Sequence, residues 1–298
     1  MGIHLSGGAE VGAAVCHDIV REFLSNGSHP ECLISIRRVQ VPEQVIPGWP
    51  KKRQALLEKR LPDAEVLEWL READLFEGGF PLSEESLCSY CLGALHVFDP
   101  VTAAGYAFLL ERGPGYCRPL YRLLWMYFAQ VLGQGGGCFL HGAALQREGS
   151  GYLFLGDSGA GKSTVAGLLR EGVILSDDSP ILTGNGNGHW LYPSPFHQMR
   201  DREGFQWESL PEPVPLTGLF FLVKGDEPCL EEISRKEALS QIISRHIHFF
   251  GYLSREAKLL LFDLFHEISH TVPAYFLHFS RHGDVWPTLR DVRGGGIK

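Results

Sequence analysis

The stretch Gly151-Tyr152-Leu153-Phe154-Leu155-Gly156-Asp157-Ser158-Gly159-Ala160-Gly161-Lys162-Ser163-Thr164 decides the fold class. Its first five residues form a short apolar run and read as a buried strand. Gly156–Thr164 then matches G-x-x-x-x-G-K-[ST] in full. Lys162–Arg170 follows as a helix, with Val165, Leu168 and Leu169 on one face. The flanks give the pattern its physical meaning. Glycines let successive backbone N–H groups turn inward around phosphate oxygens, and a helix N-terminus adds a favourable dipole. In such a loop Lys162 reaches the β- and γ-phosphates of ATP or GTP, and the Ser163 hydroxyl ligates Mg²⁺. The bland alternative, a glycine-rich turn with an incidental lysine, leaves both flanks unexplained.

On either side of the loop stand candidate partners. Cys138–Leu145 reads as a strand joined to Gly151–Leu155 by the polar turn Gln146–Ser150, and it carries His141. Val173–Leu175 reads as a strand ending at Ser176-Asp177-Asp178. In a strand–loop–helix–strand unit of a parallel sheet, both strand ends lie on one edge. Asp177 and Asp178 are therefore expected beside the phosphates. One could hold Mg²⁺ and the other accept a proton from an attacking hydroxyl. Ser-Asp-Asp-Ser-Pro is also good turn chemistry. His141, alone in an apolar strand, could equally be a satisfied core residue.

Further out, Pro180–Thr183 and His189–Tyr192 flank Gly184-Asn185-Gly186-Asn187-Gly188, a strong hairpin signal. Gly218–Val223 and Ala274–Phe279 read as strands, and Lys236–His248 and Ser254–Ser269 as helices. Arg118–Leu132 has apolar residues at helical spacing. Upstream, helices are expected near Val11–Leu24 and Lys52–Glu72, with short strands in Leu92–Leu110. The expected organisation is an accessory region of unassigned fold over 1–117, an α/β domain over 118–290 and a tail over 291–298.

The composition narrows the classes. A chain of 298 residues holds one large domain or two modest ones. The net charge of −8, with no basic stripe, argues against nucleic-acid binding. No run of 18 apolar residues is present, so no membrane span is expected, and no signal-peptide pattern opens the chain. The seven cysteines, odd in number and irregular in spacing, read as reduced thiols in a cytoplasm.

Other motifs compete with this reading. No Asn-Lys-x-Asp guanine motif and no Leu-Ser-Gly-Gly-Gln motif accompany the loop. His266-Glu267-Ile268-Ser269-His270 matches the zincin pattern H-E-x-x-H. Its helix, however, reads as a packing element crowded by Leu259, Leu260, Phe262, Leu264, Phe265 and Ile268, and it is expected to be metal-free. Cys88-Ser89-Tyr90-Cys91 lacks the second pair that a structural zinc site needs. His246-Ile247-His248 reads as part of a helix face.

The three motifs together resemble the HPr kinase/phosphorylase family. That family has a His-Gly pair on an upstream strand, a Gly-Asp-Ser-Gly-x-Gly-Lys-Ser loop and a following strand ending in Ala-Asp-Asp. Here His141-Gly142, Gly156–Ser163 and Ser176-Asp177-Asp178 stand in the same order at comparable spacing. The chain departs from the family at Thr164, where a Glu is usual. Tyr192–Arg200 stands where the family has Glu-Ile-Arg-Gly-x-Gly. It thus looks more like divergent HPr-kinase-like proteins of modified-peptide clusters, such as lasso-peptide precursor kinases or the SynChlorMet cassette protein.

The resemblance implies an α/β P-loop kinase core of the type shared with phosphoenolpyruvate carboxykinases. It implies phosphoryl transfer from ATP or GTP, with Mg²⁺, to a serine or threonine hydroxyl of a peptide or protein. By the same carry-over, Asp177, Asp178, His141 and Lys162 form the catalytic set and Gly156–Thr164 binds the nucleotide. Ser163 and Asp178 handle Mg²⁺, His197 and Arg200 face the substrate or the γ-phosphate, and assembly into a homo-oligomer is compatible with the family. A nucleotide-binding scaffold of a peptide-modification pathway without transfer activity, and a small-molecule alcohol kinase, are the alternatives.

Overall fold

The computed structural model describes residues 3–6, 32–37, 63–72, 82–91, 94–99, 104–109, 117–169, 171–184, 188–194, 196, 211–290 and 292. Two compact units are defined, residues 1–128 and 129–298. The expected helix at Val11–Leu24 lies outside the described residues.

In the first unit, β1 (Ile3–Ser6), β2 (Cys32–Arg37), β3 (Leu87–Cys91), β4 (Ala94–Asp99) and β5 (Ala104–Leu109) form a sheet in the order β1-β2-β5-β4-β3. The β1, β2 and β5 strands are parallel, while β3, β4 and β5 form an antiparallel meander. The meander covers the stretch expected to supply strands. Successive residues Leu95 to Asp99 of β4 are all buried, so both faces of that strand are covered. Buried Asp99 is satisfied by the Ser86 hydroxyl, which donates to it at 3.0 Å, and by the Ser83 backbone N–H. Helix α1 (Asp63–Glu72) buries Val66, Leu67, Trp69 and Leu70 and exposes Glu65, Glu68, Arg71 and Glu72. That is the stripe its helical spacing encodes.

Helix α2 (Cys117–Gln134) contains the division between the units. The second unit is mixed α/β around a curled sheet. Its strands are β6 (Gly137–Phe139), β7 (Gly142–Arg147), β8 (Ser150–Leu155), β9 (Val173–Ser176), β10 (Ile181–Gly184), β11 (His189–Tyr192), β12 (Val214–Lys224), β13 (Cys229–Glu232) and β14 (Ala274–Phe279). The helices are α3 (Lys162–Leu168), α4 (Arg235–Gln241), α5 (Arg255–Thr271) and α6 (Trp286–Arg290). Serines cap α4 and α5. Ser234 Oγ accepts from Glu237 N and Ser254 Oγ from Ala257 N, both at 3.2 Å.

The sheet has two arms that share β12. Its first two residues pair with β11, which continues through the hairpin partner β10 to β6, all antiparallel. From Leu219 onward β12 lies between β8 and β14, parallel to both. Pro215, which has no N–H to donate, and the register shift between Leu216 and Gly218 sit at the change of partner. The parallel strands are continuous apolar runs because both faces are covered. Register aligns Phe154, Phe220 and Tyr275 side by side, with ring centroids 5.3 and 5.9 Å apart. Val165 and Leu169 from α3 and its C-terminal cap pack into the same core.

Strand order positions the site. The β7–β8 hairpin turns through Glu148 (φ 49°) and Gly149 (φ 75°), both left-handed, as a two-residue turn requires. The β9 strand is antiparallel to β7 as well. Thus β8 and β9 run the same way with β7 inserted between them, rather than side by side. The C-terminal ends of β8 and β9 and the start of β7 share one sheet edge. The expected single strand Cys138–Leu145 is broken at His141, because the chain changes partners there. Its β6 part pairs with β10 and its β7 part with β8 and β9. No helix among the described residues is long and apolar enough to cross a membrane.

Candidate functional site

Gly156 leaves β8 and opens the loop. A Cβ there would stand 2.7 Å from the Ala160 Cβ. Gly159 (φ 81°) and Gly161 (φ 106°) are left-handed, and Ala160 N donates to Asp157 O at 3.0 Å. A Cβ on Gly161 would stand 2.6 Å from the buried Phe279 ring. Gly161→Ala is therefore expected to cost about 1–3 kcal/mol of stability, the usual toll of a strained backbone position. Chemical denaturation measures it, and an unchanged midpoint would contradict the steric argument.

Lys162 is buried at the head of α3. Its Nζ donates to Gly156 O at 2.7 Å and Asp157 O at 3.2 Å, and lies 3.0 Å from His141 Nε2. Burial lowers its pKa, opposed by the charges of Asp178 and Asp157. Lysine only donates, so in this contact His141 Nε2 is the acceptor, which leaves Nδ1 for the ring N–H. That Nδ1 faces Asp178 Oδ1 at 3.4 Å.

Asp177 and Asp178 follow β9 directly. Ser176 Oγ accepts from Ser179 N at 2.9 Å and, at 3.4 Å, from Asp178 N, fixing the turn. Gly142 N donates to Asp178 O at 3.1 Å and ties that turn to the start of β7. Asp177 is turned inward, 2% exposed, whereas the Asp178 side chain stays 14% exposed and that of His141 29%. Burial raises the Asp178 carboxyl. The His141 contact and the positive charge nearby, that of Lys162 included, outweigh it and hold the group below the usual carboxylate range. Ser163 and Thr164 lie half-buried in the first turn of α3. His197 and Arg200 lie outside the described residues.

Arg245, His246 and His248 join this cluster. After α4 the chain continues as a π-helical turn, Ile242–His246, and then extends. Ile247 bridges Leu140, His141 N donates to His246 O at 2.7 Å, and His248 N donates to Phe139 O at 3.0 Å. The expected helix face over His246–His248 is thus replaced by a strand-like contact with the break at His141. Arg245 Nη1 meets Asp157 Oδ2 of the loop at 3.2 Å. The rings of His141 and His248 lie 5.2 Å apart. His246 is buried, and burial pushes its pKa down to about 4; the charge of Asp157 opposes this. One signal pointed there. Histidines two apart share a face in extended chain but diverge on a helix.

The remaining motifs lie elsewhere in the chain. On α5, His270 Nδ1 donates to His266 O at 2.8 Å. The packing assigned to this helix holds for Leu264, Phe265 and Ile268, which are buried. It fails for Leu259, Leu260 and Phe262, which are exposed. Cys88 lies on β3.

These features define a mixed α/β protein that carries a phosphate-loop sequence on a strand–turn–helix unit, with a lysine, a histidine and an aspartate converging beside it. The sequence model of the SynChlorMet cassette protein ScmC matches residues 121–292, more than half of the chain, and the chain belongs to that family. No curated protein matches it.

Proposed function

We propose that the chain is a Mg²⁺- and nucleotide-dependent phosphotransferase with a P-loop kinase core, acting on a serine or threonine hydroxyl of a peptide or protein. One observation carries this reading. The loop lysine, Lys162, and a carboxylate able to act as base, Asp178, meet across a single side chain, His141, at 3.0 and 3.4 Å. The loop residues also fit a polyphosphate. Side chains at Gly156 and Gly161 would collide with their surroundings, and the left-handed Gly159 and Gly161 turn the backbone where a phosphate is wrapped. A bound magnesium nucleotide would supply the phosphoryl group, with Ser163 the loop oxygen for the cation.

The chain's own groups divide the remaining work. Lys162 exchanges its carbonyl contacts for phosphate oxygens. Arg245, at the rim beside Asp157, adds a second cation for charge that develops during transfer. Asp178 is ionised at neutral pH because its carboxyl is held low, and it takes the proton of the attacking hydroxyl. Its partial exposure favours it over inward-turned Asp177 for that role. His141, whose Nδ1 faces Asp178 Oδ1 at 3.4 Å, orients the carboxylate.

The test is a calorimetric titration of Mg-ATP and Mg-GTP into wild type and Lys162→Ala, with labelling of candidate peptides and small alcohols beside it. Lys162→Ala is expected to weaken nucleotide binding and abolish labelling. Unchanged affinity and turnover would remove the reading. Nucleotide binding without labelling of any acceptor would favour a scaffold.

A further inference from the structure

His141, Asp178 and His248 each offer one ligand atom, and these atoms all lie within 4.8 Å of one another. They come from three separate segments: the break before β7, the turn after β9 and the extended chain after α4. Among the described residues no other group of three histidine, cysteine or acidic side chains gathers in this way. We propose that these three side chains bind a borderline divalent cation, zinc above all, and that its occupancy blocks phosphoryl transfer. The binding stands on the geometry alone; the block rests on the phosphotransferase reading.

The choice of ion follows from the donors. Two imidazoles and one carboxylate suit zinc and its neighbours, whereas magnesium favours oxygen and keeps its waters. Tetrahedral zinc, bonded at about 2.0–2.1 Å, holds its ligand atoms about 3.3 Å apart. His141 Nδ1 and Asp178 Oδ1 are 3.4 Å apart, at the long limit of a hydrogen bond and close to that tetrahedral edge. Ser179 Oγ, 3.4 Å from both His248 Nε2 and Asp178 Oδ2, steadies the two outer ligands. Such second contacts orient the donors of a metal site. Three protein ligands leave a fourth position for water.

The block follows from the tautomer. A cation on His141 Nδ1 moves the ring proton to Nε2, where Lys162 now donates from 3.0 Å. An N–H cannot accept from an ammonium, so the cation and the lysine contact exclude each other. The same cation, bound through one oxygen, draws on the carboxylate charge of Asp178 and weakens it as a base for the hydroxyl proton. Zinc thus engages at once the proposed base and the histidine that orients it.

The experiment strips metal from the full-length protein and measures zinc binding by competition with a chromogenic chelator, in excess magnesium. Wild type is expected to bind one equivalent. Removing a direct ligand should weaken binding by more than about 100-fold, because loss of a supporting contact alone costs 10–100-fold. His248→Gln and Asp178→Asn, each checked for native circular dichroism, are the variants; if one fails to fold, the other decides. The His266→Ala/His270→Ala double variant is expected to keep the zinc. No zinc on wild type, retention in the folded triad variants, or loss in the double variant each overturns the site. In a labelling assay, zinc is expected to suppress wild-type turnover; zinc bound with undiminished turnover overturns the block. Zinc binding without any turnover would sink the phosphotransferase reading and the block with it, leaving the site in place.

Discussion

Asp178→Asn is expected to lower phosphoryl transfer about 10²–10⁴-fold while nucleotide affinity largely survives, the usual share of a general base. Asparagine keeps the size of the side chain but removes its charge and its basicity. His141 and the loop carbonyls that hold Lys162 stay in place, so the phosphate site persists. The pH profile supplies a second readout. The carboxyl is held below the usual carboxylate range, so the base is ionised at every pH above its folded pKa. Wild-type turnover is therefore expected to hold on acidification until pH enters that low range, as long as the fold survives. Single-turnover labelling across pH checks both statements. Full transfer by both Asp178→Asn and Asp177→Asn would show that neither aspartate is the base.

Acidification is also expected to weaken the second unit through His246. Its folded pKa is about 4 against an ordinary 6.5, because the neutral ring is buried. Below pH 6.5 the unfolded chain takes up a proton that the folded chain refuses. Stability is therefore lost as pH falls through 6.5, and the loss is complete below about 4. The difference corresponds to on the order of 3 kcal/mol. The depressed carboxyl of Asp178 acts in a separate window, since its contribution disappears only as pH falls through its own folded value. Urea denaturation at several pH values measures the slope. His246→Asn, which cannot titrate, is expected to flatten it between pH 6.5 and 4, and equal slopes in the two proteins would refute the assignment.

Local signals carried much of this architecture. The loop glycines, the apolar run before them and the Asp pair after the next strand are contiguous features. The structure brings Lys162, His141 and Asp178 within 3.0 and 3.4 Å contacts. The hairpin over β10 and β11 was equally legible from its glycines and asparagines. Three features were not. The break at His141 arises because β6 and β7 have different partners, and no residue within Cys138–Leu145 announces a change of partner. The segment Arg245–His248 continues a helical pattern, yet its backbone pairs with residues more than a hundred positions upstream. The exposed Leu259, Leu260 and Phe262 carry the same apolar signal as the buried face of α5, so composition alone assigned them to the core.

The doubly flanked β12 strand has a kinetic consequence. From Leu219 onward its neighbours are β8, far upstream, and β14, far downstream. Neither pairing forms by local zipping. Each requires closing a long loop before any contact offsets the lost chain entropy, which makes for slow folding with a non-local nucleus. The phosphate loop hangs from the end of β8, and its Gly161 is wedged against Phe279 at the end of β14. The loop can take its shape only after both strands have docked on β12. During synthesis the nascent chain must release β14 before the Gly156–Thr164 loop has all its neighbours, so that loop is among the last features to take shape.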